Sequence, residues 1–418
     1  MENGLLVIAP YPSKNSTYDN RYSALASFAK NTITAIQRAG PLNDITVLAD
    51  RIPGGSRWRD KKLEVQRVWT RGSFASYLKL FAECVKRSKT KLVMIELEWG
   101  LFGKNPFIIA CLPLFILALR IVGKKVFVVC HGISLDFMSL APQVGVSPRS
   151  IKACVYAWGM RLFYRGLVGF SNKLIVLEQH FSCLINEYFR TQKAVFIPHG
   201  VDTTVKSISR SKARKYLGLK NSEFVLVSFG FLSWYKGSDA LVNTFSKMIP
   251  AKSAKNIRLI IAGGESLIHK KDPHYQAFVK GIYAKAAQAK NITLTGFIPE
   301  KDIGYYYSAA DVLVFPYRLF ISSSGPMSLA FSYKKPVLLS KNLRQYFESN
   351  DFNNSLAQCN LRREDLMFEV SPKGLEKTIK KYMQSAPRKK LGKFSEAIRL
   401  VRSWPNIARK YMEILHLL

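Results

Sequence analysis

Short apolar runs recur along the whole chain, and apolar residues between them fall at helical spacing. Residues 5–9 form the first run. A loop with Pro10, Pro12, Ser13, Ser16, Tyr18, Asn20 and Arg21 follows, then helical spacing over 22–37 and a second run at 45–48. Further runs at 91–95, 126–130, 174–177 and 195–198 read as strands, with a helix near 181–189. The pattern resumes after a basic stretch, 206–220, which reads as a linker. Strands are expected at 224–229, 258–262, 292–295, 312–315 and 337–339, with helices at 238–248 and 303–310. Strands alternating with helices predict an α/β chain with parallel, doubly wound sheets, which at 418 residues fits two domains. Ligands of such sheets bind at the carboxyl ends of strands, where Glu98, Trp99, His131, Gly132 and His199 fall.

The stretch 311–340, DVLVFPYRLFISSSGPMSLAFSYKKPVLLS, carries the most suggestive chemistry. A strand ends at Pro316. Ser322, Ser323, Ser324 and Gly325 then form a small polar loop, and Pro326 occupies what would be a first helical turn, where its missing N–H costs nothing. A small-residue loop opening a helix leaves backbone N–H groups free at the positive end of the dipole, a place suited to a diphosphate. A serine cap on an ordinary strand–helix loop gives the same pattern.

Charge changes the picture more than composition does. Lysine and arginine total 63 against 28 acids, a net +35 spread over both halves with concentrations at 51–71, 206–220 and 373–393. Such a field favours an anionic lipid surface or nucleic acid, although a lysine-rich surface suited to salt or heat has the same composition. The run 107–122, FIIACLPLFILALRIV, is shorter than the roughly 20 apolar residues of a membrane span and reads as a buried or interfacial helix. The six cysteines lack metal-like spacing and read as reduced core residues. With Met1 leading straight into the first strand, the reading is a cytoplasmic protein peripheral on the inner face of the membrane.

The segments SFGFLSWYKGSDAL, LIIAGGE, LTGFIPEKDIGYYYSAADVLVFPY and KKPVLLS, in that order, resemble the nucleotide-sugar domain of glycosyltransferase family 4. In the first half IELEWGLFG and VVCHG are similar to family strings, as is the closing SWPNIARKYMEIL. The resemblance implies a GT-B fold, two facing Rossmann-like domains. It places an acceptor-side domain at 1–205, a donor domain at 206–393 and a C-terminal helix, 394–418, crossing back to the first.

The resemblance also assigns roles. Lys236 would neutralise the donor diphosphate and His131 would sit over the reacting sugar, the two catalytic candidates. Gly230, Phe231, Gly263, Gly264 and Glu265 would line the donor site, with Phe297 and Ile298 flanking the base. Ser322, Ser323, Ser324, Gly325 and Pro326 would complete it. Tyr18, Asn20, Arg21, Glu98 and Trp99 would face the acceptor, and His199 would be a structural hinge residue. Two departures stand out: Phe231 replaces the family's arginine, and an ungapped alignment puts Ile321 and Leu329 at its Glu-x7-Glu pair. No Asp-x-Asp string stands where a metal motif is expected, so the implied transfer uses neither metal nor cofactor, only a nucleoside diphosphate sugar. The expected function is a retaining transfer to a lipid-linked or polysaccharide acceptor. The alternatives are a nucleic-acid acceptor or a catalytically inactive binding protein.

Overall fold

The computed structural model describes residues 4–417 apart from 15–23, 41, 43, 53–54, 56, 100, 104, 249–255 and 267–269. Tyr18, Asn20 and Arg21 therefore lie outside the described residues.

The first sheet contains β1 (Gly4–Ile8), β2 (Asp44–Asp50), β3 (Trp58–Asp60), β4 (Leu63–Trp69), β5 (Leu92–Leu97), β6 (Lys125–Cys130), β7 (Lys173–Val176) and β8 (Ala194–Phe196). Its order is β3-β4-β2-β1-β5-β6-β7-β8, and all pairings are parallel except β3 with β4. Its helices are α1 (Ala24–Ala39), α2 (Ala75–Lys86), α3 (Pro106–Ala110), α4 (Leu112–Ile121), α5 (Phe137–Leu140), α6 (Ile151–Phe170) and α7 (Gln179–Tyr188). Side chains of α2, α4, α6 and α7 share one buried cluster with Leu6, Ile8, Val126 and Val128, while α1 covers Leu5, Val7, Phe127 and Val129 on the other face. Alternate residues of one strand thus feed two cores, so these strands read as unbroken apolar runs.

The second sheet is wholly parallel: β9 (Phe224–Phe229), β10 (Ile257–Ala262), β11 (Ile292–Leu294), β12 (Val312–Phe315), β13 (Val337–Ser340) and β14 (Met367–Phe368), in the order β11-β10-β9-β12-β13-β14. Around it lie α8 (Arg210–Tyr216), α9 (Ser238–Met248), α10 (Pro273–Ala287), α11 (Glu300–Ala309), α12 (Gly325–Ser332), α13 (Asn350–Gln358), α14 (Arg363–Leu366), α15 (Pro372–Met383) and α16 (Ser385–Val401). The last helix, α17 (Trp404–Leu417), packs Ile407, Tyr411 and Met412 into the core beside α1, so the chain does cross back to the first domain.

Several expectations change. The basic stretch 206–220 is no linker: α8 starts there, and Arg214 is fully buried. Its guanidinium meets Asp311 at 2.6 Å and donates to the carbonyls of Lys220, Asn221, Glu223 and Ala309, because a buried charge needs every donor satisfied. The apolar run 107–122 is two helices, α3 and α4, meeting at Cys111. The crossing to the first domain comes at Arg402 and Ser403 rather than at 394, since Leu391, Phe394 and Ile398 belong to the second core. All six cysteines are free, but Cys154 and Cys183 are exposed. Part of the charge at 51–71 is spent internally, with Arg67 and Arg71 on Asp50 and Arg57 on Glu64.

Candidate active site between the two domains

Lys236 closes a one-turn 3-10 helix, Trp234 to Lys236, just beyond β9. Three contacts fix that turn. Gly237 adopts φ +71°, and a Cβ there would lie 2.1 Å from the Pro316 carbonyl oxygen, so only glycine lets the turn press on the end of β12. Arg318 donates from both guanidinium arms to Asp239 at 2.6 Å, and from one of them to the Trp234 carbonyl, while its plane lies over the Trp234 ring. The Arg318 N–H also donates to the Tyr235 carbonyl.

Among the described residues Lys236 Nζ makes no ion pair and no hydrogen bond; it lies over the Tyr235 ring, 5.9 Å from its centroid. Burial lowers its pKa to about 8, with Glu98 pulling the other way. A Cβ on Gly230 would lie 3.1 Å from Nζ and 3.2 Å from Pro326 Cγ, so Lys236, the Gly230 backbone and the start of α12 converge. A cation with no carboxylate bound to it, beside a helix N-terminus, favours an anion there.

The facing wall is built at the ends of β5 and β6. His131 Nε2 lies 2.6 Å from Glu96 Oε2, and the Glu96 side chain is fully buried. Its other oxygen has no hydrogen-bond partner among the described residues. The edge of Phe28 meets the His131 ring at 4.4 Å between centroids and also packs on His199. Glu98 feels the charges of His131, Arg71 and Lys236, yet burial dominates and raises its pKa. Glu98 thus lies within electrostatic reach of both His131 and Lys236 across the cleft. Trp99 is half-exposed and packs on Phe163 at 5.2 Å.

The serine loop is fastened to the first domain. Ser322 pairs with Gly132 in an isolated bridge, and Ile133 N–H donates to the Ile321 carbonyl at 2.9 Å. A Cβ on Gly132 would meet that carbonyl oxygen at 2.9 Å, so the glycine permits the docking. Two of the three hydroxyls expected to face a donor are engaged within the protein. Ser323 donates to Glu178 Oε1 at 2.7 Å, and Ser324 caps α12 through Met327 N–H and bonds the Tyr317 hydroxyl. Pro326 contributes no donor, and the Gly325 backbone at the start of the helix is half-exposed. A Cβ on Gly325 would have one neighbour within 4 Å, His199 Nε2 at 3.8 Å.

The other expected donor residues divide. Gly263, at φ +149°, and Gly264 make room for backbone: Cβ atoms there would meet the Gly230 oxygen at 2.2 Å and Phe297 N at 2.7 Å. The N–H groups of Gly230 and Gly263 are used on the Ala262 carbonyl and the Thr295 hydroxyl, so neither presents a donor to phosphate. Phe231 and Glu265 are half-buried, the latter accepting from Gln276. Phe297 is exposed and open to stacking, and Ile298 is a core residue. Ile321 lies on the docked loop and Leu329 packs against the second core.

Residues that the sequence reading missed complete the setting. Glu178, at the end of β7, is buried, and burial against the opposing charge of Arg402 raises its pKa to about 7. Arg402 in turn reaches Asp351 of α13 at 2.6 Å. The two chain crossings run side by side here, Val201 N–H donating to the Arg402 carbonyl at 2.7 Å. His199 packs on Phe28 and Trp404, and burial lowers its pKa to about 4, so it stays neutral. A carboxylate inside an apolar strand, as at Glu96, or just after one, as at Glu178, was the available signal. No group of three or more His, Cys, Asp or Glu side chains suited to a metal ion occurs among the described residues.

Residues 209–357 match the family model described as "Glycosyl transferases group 1". No curated protein matches the sequence. Among solved structures, sucrose-phosphate synthase from Thermosynechococcus elongatus is similar over 99% of this chain and 98% of its own, with TM-score 0.72 and 15% identity. The UDP-forming α,α-trehalose-phosphate synthase from Burkholderia vietnamiensis covers 100% and 99%, with TM-score 0.68 and 11% identity. Anabaena HepE in complex with UDP-glucose covers 99% and 100%, with TM-score 0.65 and 15% identity. At these identities the likeness establishes the GT-B glycosyltransferase fold of the whole chain.

Proposed function

We propose that this GT-B chain is a glycosyltransferase moving a sugar from a nucleoside diphosphate donor to a lipid-linked or polysaccharide acceptor at the cytosolic face of a membrane. The observation that carries the reading is Lys236, a half-buried ammonium with no ion pair or hydrogen bond among the described residues, set against Gly230 and the first turn of α12. The donor diphosphate lies between that ammonium and the α12 N-terminus. As the bond from the anomeric carbon to the diphosphate oxygen breaks, negative charge gathers on the leaving group, and the fixed cation and helix dipole stabilise it. HepE binding UDP-glucose supports a uridine donor.

On the facing wall Glu96 holds His131 through Nε2, leaving Nδ1 for a sugar hydroxyl. Glu98 accepts a hydrogen bond from the incoming acceptor hydroxyl. The proton of that hydroxyl passes to the departing phosphate oxygen, which makes the transfer retaining, as the family resemblance implies. The protein supplies the positive charge, and no metal is needed to neutralise the diphosphate.

A panel of nucleoside diphosphate sugars scored by thermal shift tests the reading, because a ligand that binds only the folded state raises its stability. Gly325→Val sharpens it: the variant folds, since the position is open, but its side chain fills the donor space and the shift disappears. A panel with no hit, or Gly325→Val binding like the parent, rejects the site. The Ser323 and Ser324 hydroxyls, engaged within the protein, favour one second reading, a GT-B binding protein without turnover; it predicts thermal shifts but no sugar release or transfer.

A further inference from the structure

The helices α2, α4 and α6 form one continuous layer over the first sheet. Gly166 of α6 lets Pro113 of α4 approach, a Cβ there meeting Pro113 at 2.7 Å, and Tyr77 of α2 packs on Phe115 of α4. The inner side of this layer is ordinary core. Its outer side is not ordinary surface.

Along α6 the residues Ile151, Val155, Trp158 and Leu162, spaced by four, three and four, form a single stripe, with Ile151 84% and Trp158 68% exposed. The neighbouring helices continue it. Leu114 and Ile121 point outward from α4, the latter 76% exposed, and Leu78 and Val85 do so from α2, the former 74% exposed. Exposed apolar side chains normally occur singly, and a band crossing three adjacent helices marks a surface that is covered in use.

The charges around the band identify what covers it. Lys79, Lys86, Arg120, Lys152, Arg161 and Arg165 are all exposed on the same three helices. Their one carboxylate, Glu83, is already bound by Lys86 and Arg87. At one border a groove between α2 and β4 is lined by Arg51, Lys79 and Lys86, with Glu83 and with Arg57 and Arg67 held on Glu64 and Asp50. A band of apolar residues with an interfacial tryptophan, flanked by cations with no free carboxylate, has the chemistry of a surface that lies on anionic lipid. Among the described residues no helix is long and apolar enough to cross a membrane, so the contact is peripheral.

We propose that the outer face of α2, α4 and α6 docks onto an anionic lipid bilayer, with Trp158 and Leu162 entering the headgroup–acyl boundary and the α2–β4 groove taking phosphate headgroups. The inference deepens the lipid-linked acceptor reading and rests on it only for biological purpose, since the contact needs neither donor nor turnover.

The test is flotation of the full chain, without donor, on phosphatidylcholine vesicles with and without phosphatidylglycerol. The chain should float with the anionic vesicles, and high salt should weaken the binding. Trp158→Glu with Leu162→Glu, and separately Leu114→Glu with Ile121→Glu, should each weaken it about tenfold or more, as lost apolar burial and added negative charge act together. Leu400→Glu, at an exposed apolar residue of the second domain, should leave it unchanged. These substitutions lie on the surface, and an unchanged melting temperature and unchanged UDP binding confirm that each variant is folded. Parent protein left unfloated, or double variants floating as well as the parent, overturns the inference. So does a parent that is a dimer in solution and becomes monomeric in the variants, since the band would then cover a second copy. UDP binding is read separately, so loss of the donor site and loss of the lipid surface are distinguishable.

Discussion

The two walls of the cleft solve opposite problems. On the first domain His131 is fully supported, its Nε2 on a buried Glu96 and its ring against Phe28. On the second domain Lys236 is held rigidly by its backbone, through Gly237 and Arg318, yet its ammonium makes no ion pair or hydrogen bond among the described residues. A group that only orients a neutral sugar can have its interactions satisfied beforehand. A group that must neutralise a diphosphate cannot, because an internal carboxylate would compete with the ligand. Glu98 stands near enough to raise the Lys236 pKa partway but makes no ion pair with it.

Separating the walls experimentally gives the largest expected effect. His131→Ala should lower turnover on the order of 100-fold while leaving nucleoside diphosphate affinity near that of the parent, as steady-state kinetics and calorimetry would show. If diphosphate binding collapses instead, the walls have exchanged roles.

Lys236→Ala should do the reverse, weakening donor and free nucleoside diphosphate together by about 1.5–3 kcal/mol, the range for a hydrogen bond to a charged group. The same site predicts a pH dependence. In the free protein Lys236 titrates near pH 8, below the ordinary lysine value, because burial disfavours its charge. Below that pH the ammonium is present and affinity is level. Above it, binding must take up a proton and affinity falls. Titrations across this range in Lys236→Ala should show no such slope.

Where the walls touch, Glu178 offers a smaller effect. Its folded pKa, about 7, exceeds its ordinary value of 4.5. Its contribution to stability is therefore fully present below pH 4.5 and is lost as pH rises through 7. Glu178→Gln should flatten that part of the stability profile in urea unfolding; an unchanged slope would assign it to another group.

The smallest change expected is for Ser323→Ala, which removes one hydrogen bond between the domains and should cost about 0.5–1.5 kcal/mol. A loss of donor binding larger than the loss of stability would return this hydroxyl to the donor site.

What could be read from the chain differs between elements for physical reasons. The strands β9 and β12 and the helix α9 were legible to the residue, because parallel strands buried on both faces are continuous apolar runs with sharp ends. The segment α8 was misread as a linker because its basic composition says solvent, while Arg214 lies in the interior on Asp311. Lys236 and His131 were legible as strand-end residues of the right chemical type. Their environments were not, since Glu96 and Arg318 are separated from them in sequence and reach them only through the sheets.

The sequence by itself determined the α/β alternation, the two-domain organisation and the candidate pair Lys236 and His131, all of which follow from local periodicity and residue type. Only the tertiary structure decided which polar groups remain open. It engaged the Ser323 and Ser324 hydroxyls on Glu178 and Tyr317, and left the Lys236 ammonium without an ion pair or hydrogen bond among the described residues. It also aligned single apolar residues of α2, α4 and α6 into one exposed band. Whether a group is satisfied depends on partners distant in the chain, and spacing along a sequence carries no record of them.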